Sequence, residues 1–355
     1  MQSPMPSKSA PWLVALALSG AALADDTTPP PLPALGLDGE RLAVLGVSSG
    51  GYMATQLAVA YPERYGRLGV FAAGPWGCAQ GSLGRALGQC MLTHRGIPDL
   101  DELASRHAAY LVEGRVGDPA DLARQRVFLW HGEADGTVLP VLGERLAEQY
   151  RGWLADADDQ LRRVVQPGAG HGWPVAADRA PSSAPLVNCA AGGSPYLLDC
   201  GYDGAGEALA WLYGEAEVSA PDAAAGELVS VSQEVASGAR QLDERGYLYL
   251  PPGCEAGGAC GLVVALHGCA MGREQVDDAF ARYAGLNAWA DVHRLAVLYP
   301  QAGSSMGNPQ GCWDWWGHDE NSWRPDPAHD SRDGRQLQAL DAMVERLLSP
   351  PEASD

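Results

Sequence analysis

The sequence predicts an α/β fold with a mostly parallel central sheet flanked by helices, and three observations carry that prediction. Short apolar runs of strand length alternate with helical stretches along the chain. Several of those runs are continuously apolar, as strands buried on both faces are. Ser48, Asp135, His171 and Cys269 each stand just past the end of such a run. In parallel sheets, chemistry gathers at the carboxyl ends of the strands, so one sheet edge is expected to present all four residues.

Taken in order, residues 1–24 read as an export signal rather than as part of the fold. Lys8 gives the positive start, Trp12 to Leu18 opens an apolar stretch, and Ala22-Leu23-Ala24 is a small-x-small cleavage site. The stretch is too short for a stable membrane anchor. Residues 25–40 form a Pro-rich leader. Leu42 to Gly46 reads as a buried strand, and Tyr52 to Tyr61 as a helix after a glycine-rich turn. Val127 to Trp130 and Leu161 to Val165 are further strands, with a helix over Leu139 to Ala155 between them and another over Gly204 to Tyr213 beyond.

Ala216 to Gly226, small residues with acids and a proline, reads as a linker. After it come strands over Leu228 to Val235, Tyr247 to Leu250, Leu262 to Leu266 and Leu295 to Tyr299. An amphipathic helix is expected over Gln275 to Val292, an aromatic loop at Gly311-Cys312-Trp313-Asp314-Trp315-Trp316, and a closing helix over Leu337 to Leu348.

Composition excludes some functions. Of 355 residues, 46% are hydrophobic and 19% charged, enough for a sizeable core. Lys+Arg 24 against Asp+Glu 44 leaves a net charge of −20, which argues against nucleic-acid binding and against docking on anionic membranes. A neutral or apolar partner stays open. The eight cysteines suit an oxidising compartment and suggest four disulfides. Proximity groups Cys78 with Cys90, Cys189 with Cys200 and Cys254 with Cys260, leaving Cys269 and Cys312, although eight cysteines allow many other connectivities. No Cys-x-x-Cys or His-x-x-x-His pair suggests a metal.

Gly46-x-Ser48-x-Gly50 between a strand and a helix is a nucleophile-elbow pattern. Ser49 is the competing nucleophile. A serine hydroxyl needs a base at neutral pH, and the base needs an orienting acid. Ser48, Asp135 and His171 supply nucleophile, acid and base in the chain order that such enzymes use. Glu133 is a rival acid and His131 a rival base, while Asp135 could instead cap the helix that follows it. An oxyanion site would use the N–H of Ser49 and one from a second loop. Leu266-His267-Gly268-Cys269 resembles that loop, yet it follows Ser48 by more than two hundred residues. The chain is therefore expected to be circularly permuted, with the old ends joined near 216–226 and residues 25–355 forming one domain.

With those residues in view, the sequence resembles the secreted single-domain poly(3-hydroxybutyrate) depolymerases, a circularly permuted α/β-hydrolase family. The resemblance runs from about Leu35 to Leu348. It rests on Gly46 to Ala54, Val70 to Pro75, Cys200 to Gly206, Ala265 to Cys269, Tyr299 to Ala302 and Gly311 to Trp315. It implies Ser48, Asp135 and His171 as the triad, the Ser49 and Cys269 amides as oxyanion donors, and no cofactor. It places Trp315 at a substrate crevice, with Trp313, Tyr52 and His267 as further substrate-binding candidates. It also implies a Cys269–Cys312 bridge, a secreted monomer and a neutral polyester polymer or oligomer as substrate. The match is poor at Ser304 to Gln310 and Gly317 to Asp330, which leaves the polymer preference open. A secreted esterase acting on feruloyl, acetyl or synthetic polyester bonds, and a non-catalytic polymer-binding protein, are the competing functions.

Overall fold

Residues 28–216, 218–221, 223–234, 241–255, 259–319 and 327–351 of the computed structural model are described here. The export signal expected over 1–24 lies outside them, as does part of the expected linker. The strands in chain order are β1 (Leu42–Val47), β2 (Arg67–Phe71), β3 (Arg126–Gly132), β4 (Leu161–Gln166), β5 (Trp173–Val175), β6 (Val187–Asn188), β7 (Leu197–Asp199), β8 (Glu227–Ser232), β9 (Arg245–Leu250), β10 (Gly261–Leu266) and β11 (Leu295–Tyr299). Eight of them form one sheet in the order β4-β3-β2-β1-β10-β11-β9-β8. Pairing is parallel from β4 through β11 and antiparallel at β11–β9 and β9–β8.

The continuous apolar runs follow from burial on both faces. In β1, Leu42 and Val44 join one core, with the helices Ser49–Ala60 and Arg335–Leu348. Ala43, Leu45 and Val47 join the other, with Gly204–Tyr213 and Leu286–His293. Each fully buried Leu or Val side chain here contributes about 1.5–3 kcal/mol of transfer free energy.

The sheet order gives the permutation a physical form. β10, late in the chain, fits between β1 and β11, so the loop after β10 meets the loop after β1 at the same edge. The two ends of the described chain also meet. Gly36 N–H donates to Ser349 O at 2.8 Å and Leu37 N–H to Leu347 O at 3.2 Å, next to the start of β1. Adjacent ends of this kind make a cut and rejoining of the chain sterically possible.

Three expectations are corrected. β2 was not anticipated; its Gly69 lies against Leu45, where a Cβ would come within 2.7 Å of that side chain, and the glycine hides a short strand. The helix expected over Gln275 to Val292 is three short helices, Arg273–Val276, Ala279–Tyr283 and Leu286–His293. Asp277 (φ 53°) and Gly285 (φ 81°) turn left-handed and interrupt it. The sheet β5-β7-β6 was also not foreseen, because its strands are only two or three residues long.

Candidate active site

Ser48 follows β1 as the one-residue turn into the helix Ser49–Ala60. Its backbone sits at φ 57° and ψ −121°, a conformation that costs a non-glycine residue on the order of 1–3 kcal/mol. The flanking glycines are dictated by crowding. A Cβ at Gly46 would lie 2.1 Å from Gly50 O, and a Cβ at Gly50 would lie 2.3 Å from Leu266 O and 2.4 Å from His267 O. The second contact is the meeting of the early and late parts of the chain.

Ser48 Oγ lies 2.9 Å from His171 Nε2, and His171 Nδ1 lies 2.7 Å from Asp135 Oδ2. All three are buried, with Ser48 at 9%, His171 at 8% and Asp135 at 2% exposure. Asp135 sits in the turn after β3. Its Oδ1 accepts the N–H groups of Thr137 (2.8 Å) and Val138 (2.9 Å). Burial alone would raise the Asp135 carboxyl. Hydrogen bonds and charge interactions with His131 and His171 outweigh it and hold the group well below the usual carboxylate range. The group is therefore an anion that can orient an imidazole and stabilise its charged form.

The loop after β4 carries His171 and is tied down on both sides. Gly170 N–H donates to Cys189 O at 2.7 Å and Trp173 N–H to Tyr196 O at 2.8 Å. β5 extends that anchorage into the small sheet, and Cys189–Cys200 closes the same segment.

The loop after β10 faces the elbow. A Cβ at Gly268 would come 3.2 Å from Ser48 Cβ, which brings the Gly268-Cys269 backbone against the serine. Cys269 is bonded to Cys312, joining this loop to the aromatic one. The remaining bridges are Cys78–Cys90 and Cys254–Cys260, and no free cysteine is found among the described residues.

The four side chains expected at a substrate crevice are arranged unequally. Trp315 stacks on Tyr52 with centroids 4.4 Å apart and planes at 11°, and Trp316 meets it edge-on at 5.5 Å. Tyr52 and Trp315 are both enclosed, at 3% and 5% exposure, and the Tyr52 hydroxyl donates to Cys90 O, so Tyr52 is a platform for an indole that itself leaves little surface open. Trp313 and His267 are corrections, because both are fully buried. Trp313 Nε1 donates to His267 O at 3.0 Å, and His267 Nε2 accepts Ala302 N–H at 3.1 Å. Burial also lowers the His267 imidazole to about 4, which suits a neutral acceptor. The pair braces the loop after β10 from below.

His131, a rival base by its sequence position, does not reach Ser48 in a hydrogen bond. Its Nε2 lies 2.7 Å from Val138 O and 3.4 Å from Asp135 Oδ2, so it neighbours the acid instead. A cavity of about 320 Å³ lies apart from this constellation, between the helix Leu286–His293, residues 175–183, and residues 220, 221, 223 and 224. Its Arg179 is engaged by Asp203 at 3.6 Å. Among the described residues, no metal-binding cluster occurs and no helix is long and apolar enough to cross a membrane.

Comparison with known proteins now carries weight. A family model for "Esterase PHB depolymerase" matches residues 245–325, and one for the "Prolyl oligopeptidase family" matches 35–184. A polyhydroxybutyrate depolymerase from Talaromyces funiculosus is 34% identical, over 95% of this chain and 96% of its own length. This chain belongs to the poly(3-hydroxybutyrate) depolymerase family. A second depolymerase, from Delftia acidovorans, is 33% identical over 90% of this chain, which spans 62% of that longer protein. The PHB depolymerase structure from Penicillium funiculosum superposes with a TM-score of 0.79 at 31% identity, covering 90% of this chain and 98% of the other. A PHB depolymerase variant complexed with an R3HB trimer gives 0.80 over the same shares. Membership makes the protein an α/β-hydrolase-fold serine esterase. The two family models cover separate stretches, residues 35–184 with the turn at Ser48 and residues 245–325 with the loop after β10.

Proposed function

We propose that this protein hydrolyses the ester bonds of poly(3-hydroxybutyrate) or its oligomers through an acyl-enzyme on Ser48. The observation that carries the reading is the unbroken hydrogen-bonded line from Ser48 Oγ through His171 to Asp135. It stands at the strand ends of a chain similar over its length to depolymerases.

His171 Nε2 takes the Ser48 proton as Oγ attacks the ester carbonyl carbon. The carbonyl oxygen becomes an oxyanion and receives the N–H groups of Ser49 and Cys269, each donor typically worth about 3–4 kcal/mol. The N-terminus of the helix Ser49–Ala60 adds its positive dipole end. The C–O bond to the alcohol part then breaks, and His171 returns the proton to the leaving oxygen. Water, deprotonated by His171, attacks the acyl-enzyme and releases the acid end while Ser48 recovers its proton. Asp135 stays ionised throughout.

Trp315, 5% exposed and held flat by Tyr52, is the residue assigned to the apolar side of the crevice, where it offers the polyester chain only the small part of its ring left open. The substrate is uncharged, so the net charge of −20 serves solubility rather than recognition. The triad and both amides come from one chain, which fits action as a monomer. Four disulfides support secretion, with residues 1–24 as the export signal and residues 25–355 as a single permuted domain.

Clearing of a polyhydroxybutyrate film by purified protein, with Ser48→Ala as control, tests the reading. Clearing by wild type alone is the expected result. Activity on feruloyl or acetyl esters without film clearing would move the substrate elsewhere. An inert wild type that still binds film would make the protein a binder.

A further inference from the structure

His131 is the last residue but one of β3, and the turn after the strand carries Asp135. Its side chain is 3% exposed. Nε2 faces two acceptors, Val138 O at 2.7 Å and Asp135 Oδ2 at 3.4 Å. Neither can donate while Asp135 is ionised, so Nε2 must carry the proton. The contact to Val138 reaches across the turn from its first side to its last. The contact to Asp135 reaches the same oxygen that His171 Nδ1 meets at 2.7 Å. Gly143 presses on the other side of the ring, where a Cβ would lie 2.5 Å from Nδ1. The imidazole is therefore clamped between the helix Pro140–Trp153 and the turn. With Nε2 committed in this way, His131 is not free to accept the Ser48 proton.

We propose that His131 is a positioning residue for the reaction: its Nε2–H staples the turn from β3 to Val138 and fixes Asp135 Oδ2 on the His171 Nδ1 proton. The inference rests on the triad assigned above. Asp135 then has Oδ1 held by two backbone amides and Oδ2 hydrogen-bonded to His171, with His131 Nε2 as a second, longer contact at 3.4 Å. Without His131, the turn loses its tie to Val138 O and Oδ2 keeps only His171, so the carboxylate can shift together with the turn that carries it. The cost falls on the step in which His171 becomes charged, and not on substrate binding.

The test compares His131→Asn with His131→Gln. A Gln amide extends as far as Nε2, while an Asn amide stops near the position of Nδ1. Turnover of p-nitrophenyl butyrate gives kcat and KM, and the low-field proton resonance of the His171–Asp135 hydrogen bond reports the geometry directly. In His131→Asn, kcat is expected to fall roughly 10- to 100-fold, with KM within about twofold, and the low-field resonance to shift or vanish. His131→Gln is expected to recover most of the turnover and the resonance. Wild-type kcat with an unchanged resonance in His131→Asn overturns the proposal, and so does equal loss in both variants. Should His131→Asn fail to fold, the Gln variant decides alone: a retained resonance supports the staple, and a lost one overturns it. Ser48→Ala run in parallel separates the two readings. An active Ser48→Ala removes the triad and the staple together, whereas an inert one beside a fully active His131→Asn removes the staple alone.

Discussion

Gly50→Ala probes the place where the permuted chain closes on itself. The added Cβ would lie 2.3 Å from Leu266 O and 2.4 Å from His267 O. Carbon–oxygen contacts settle near about 3.3 Å, so the loop after β10 and the elbow must part by about 1 Å. Neither neighbour can yield by rotating a side chain, because both are backbone carbonyls of a strand end that pairs with β1 at Gly46. The displaced segment carries the Cys269 amide, which must stay within hydrogen-bond reach of the oxyanion. A shift of this size is expected to lower kcat/KM on a soluble ester by roughly 100-fold. Gly152→Ala, with nothing within 4 Å of its new methyl, is the matched control. Steady-state kinetics beside thermal melting separates lost alignment from lost folding: the substituted enzyme should still melt cooperatively while turning over slowly. A Gly50→Ala enzyme with wild-type kcat/KM would refute the placement of the oxyanion donors.

Three further outcomes are expected. Trp315→Ala removes the ring stacked on Tyr52, and kcat/KM on 3-hydroxybutyrate oligomers should drop roughly tenfold, with a smaller loss on a compact acetyl ester. The Cys269→Ser/Cys312→Ser double variant opens a bridge with a sequence separation of 43 and should lose about 4 kcal/mol of stability, read by urea melts at fixed pH. Burial pushes the Asp341 carboxyl up to about 6, beyond what Arg64 at 3.4 Å offsets. An acid raised on folding leaves stability intact below its unfolded value and erodes it as pH climbs from about 4 through the raised one. Asp341→Asn should therefore abolish a loss on the order of 2–3 kcal/mol between pH 4 and pH 7.5. An unchanged pH slope of unfolding would count against it.

Much of the site could be read before any coordinates because its residues obey local rules. Gly46-x-Ser48-x-Gly50 is written into the backbone by contacts with a handful of nearby atoms, and Asp135 and His171 each follow an apolar strand by a few residues. Strands buried on both faces also announce themselves, since neither face tolerates a polar side chain. β2 escaped notice because Gly69 breaks the apolar run, and the long helix over Gln275 to Val292 was overread because amphipathic spacing does not register a left-handed residue such as Asp277. His131 was visible as a residue but not as a neighbour of Asp135, because nothing in a strand's pattern tells which acceptor a ring nitrogen will find.

The sequence by itself determined the fold class, the glycine-flanked turn at Ser48 and the chain order Ser48, Asp135, His171, and it suggested three cysteine couples close along the chain. These depend on spacing of a few residues and on side-chain chemistry, which a linear string records. Tertiary structure decided what depends on distant segments meeting. It seated β10 beside β1, set the Gly268-Cys269 backbone against Ser48, laid Trp315 on Tyr52, and buried Trp313 and His267 as braces. It also put a second imidazole on Asp135. Such contacts arise from packing across more than two hundred residues of chain, where burial and excluded volume choose partners that no local pattern names.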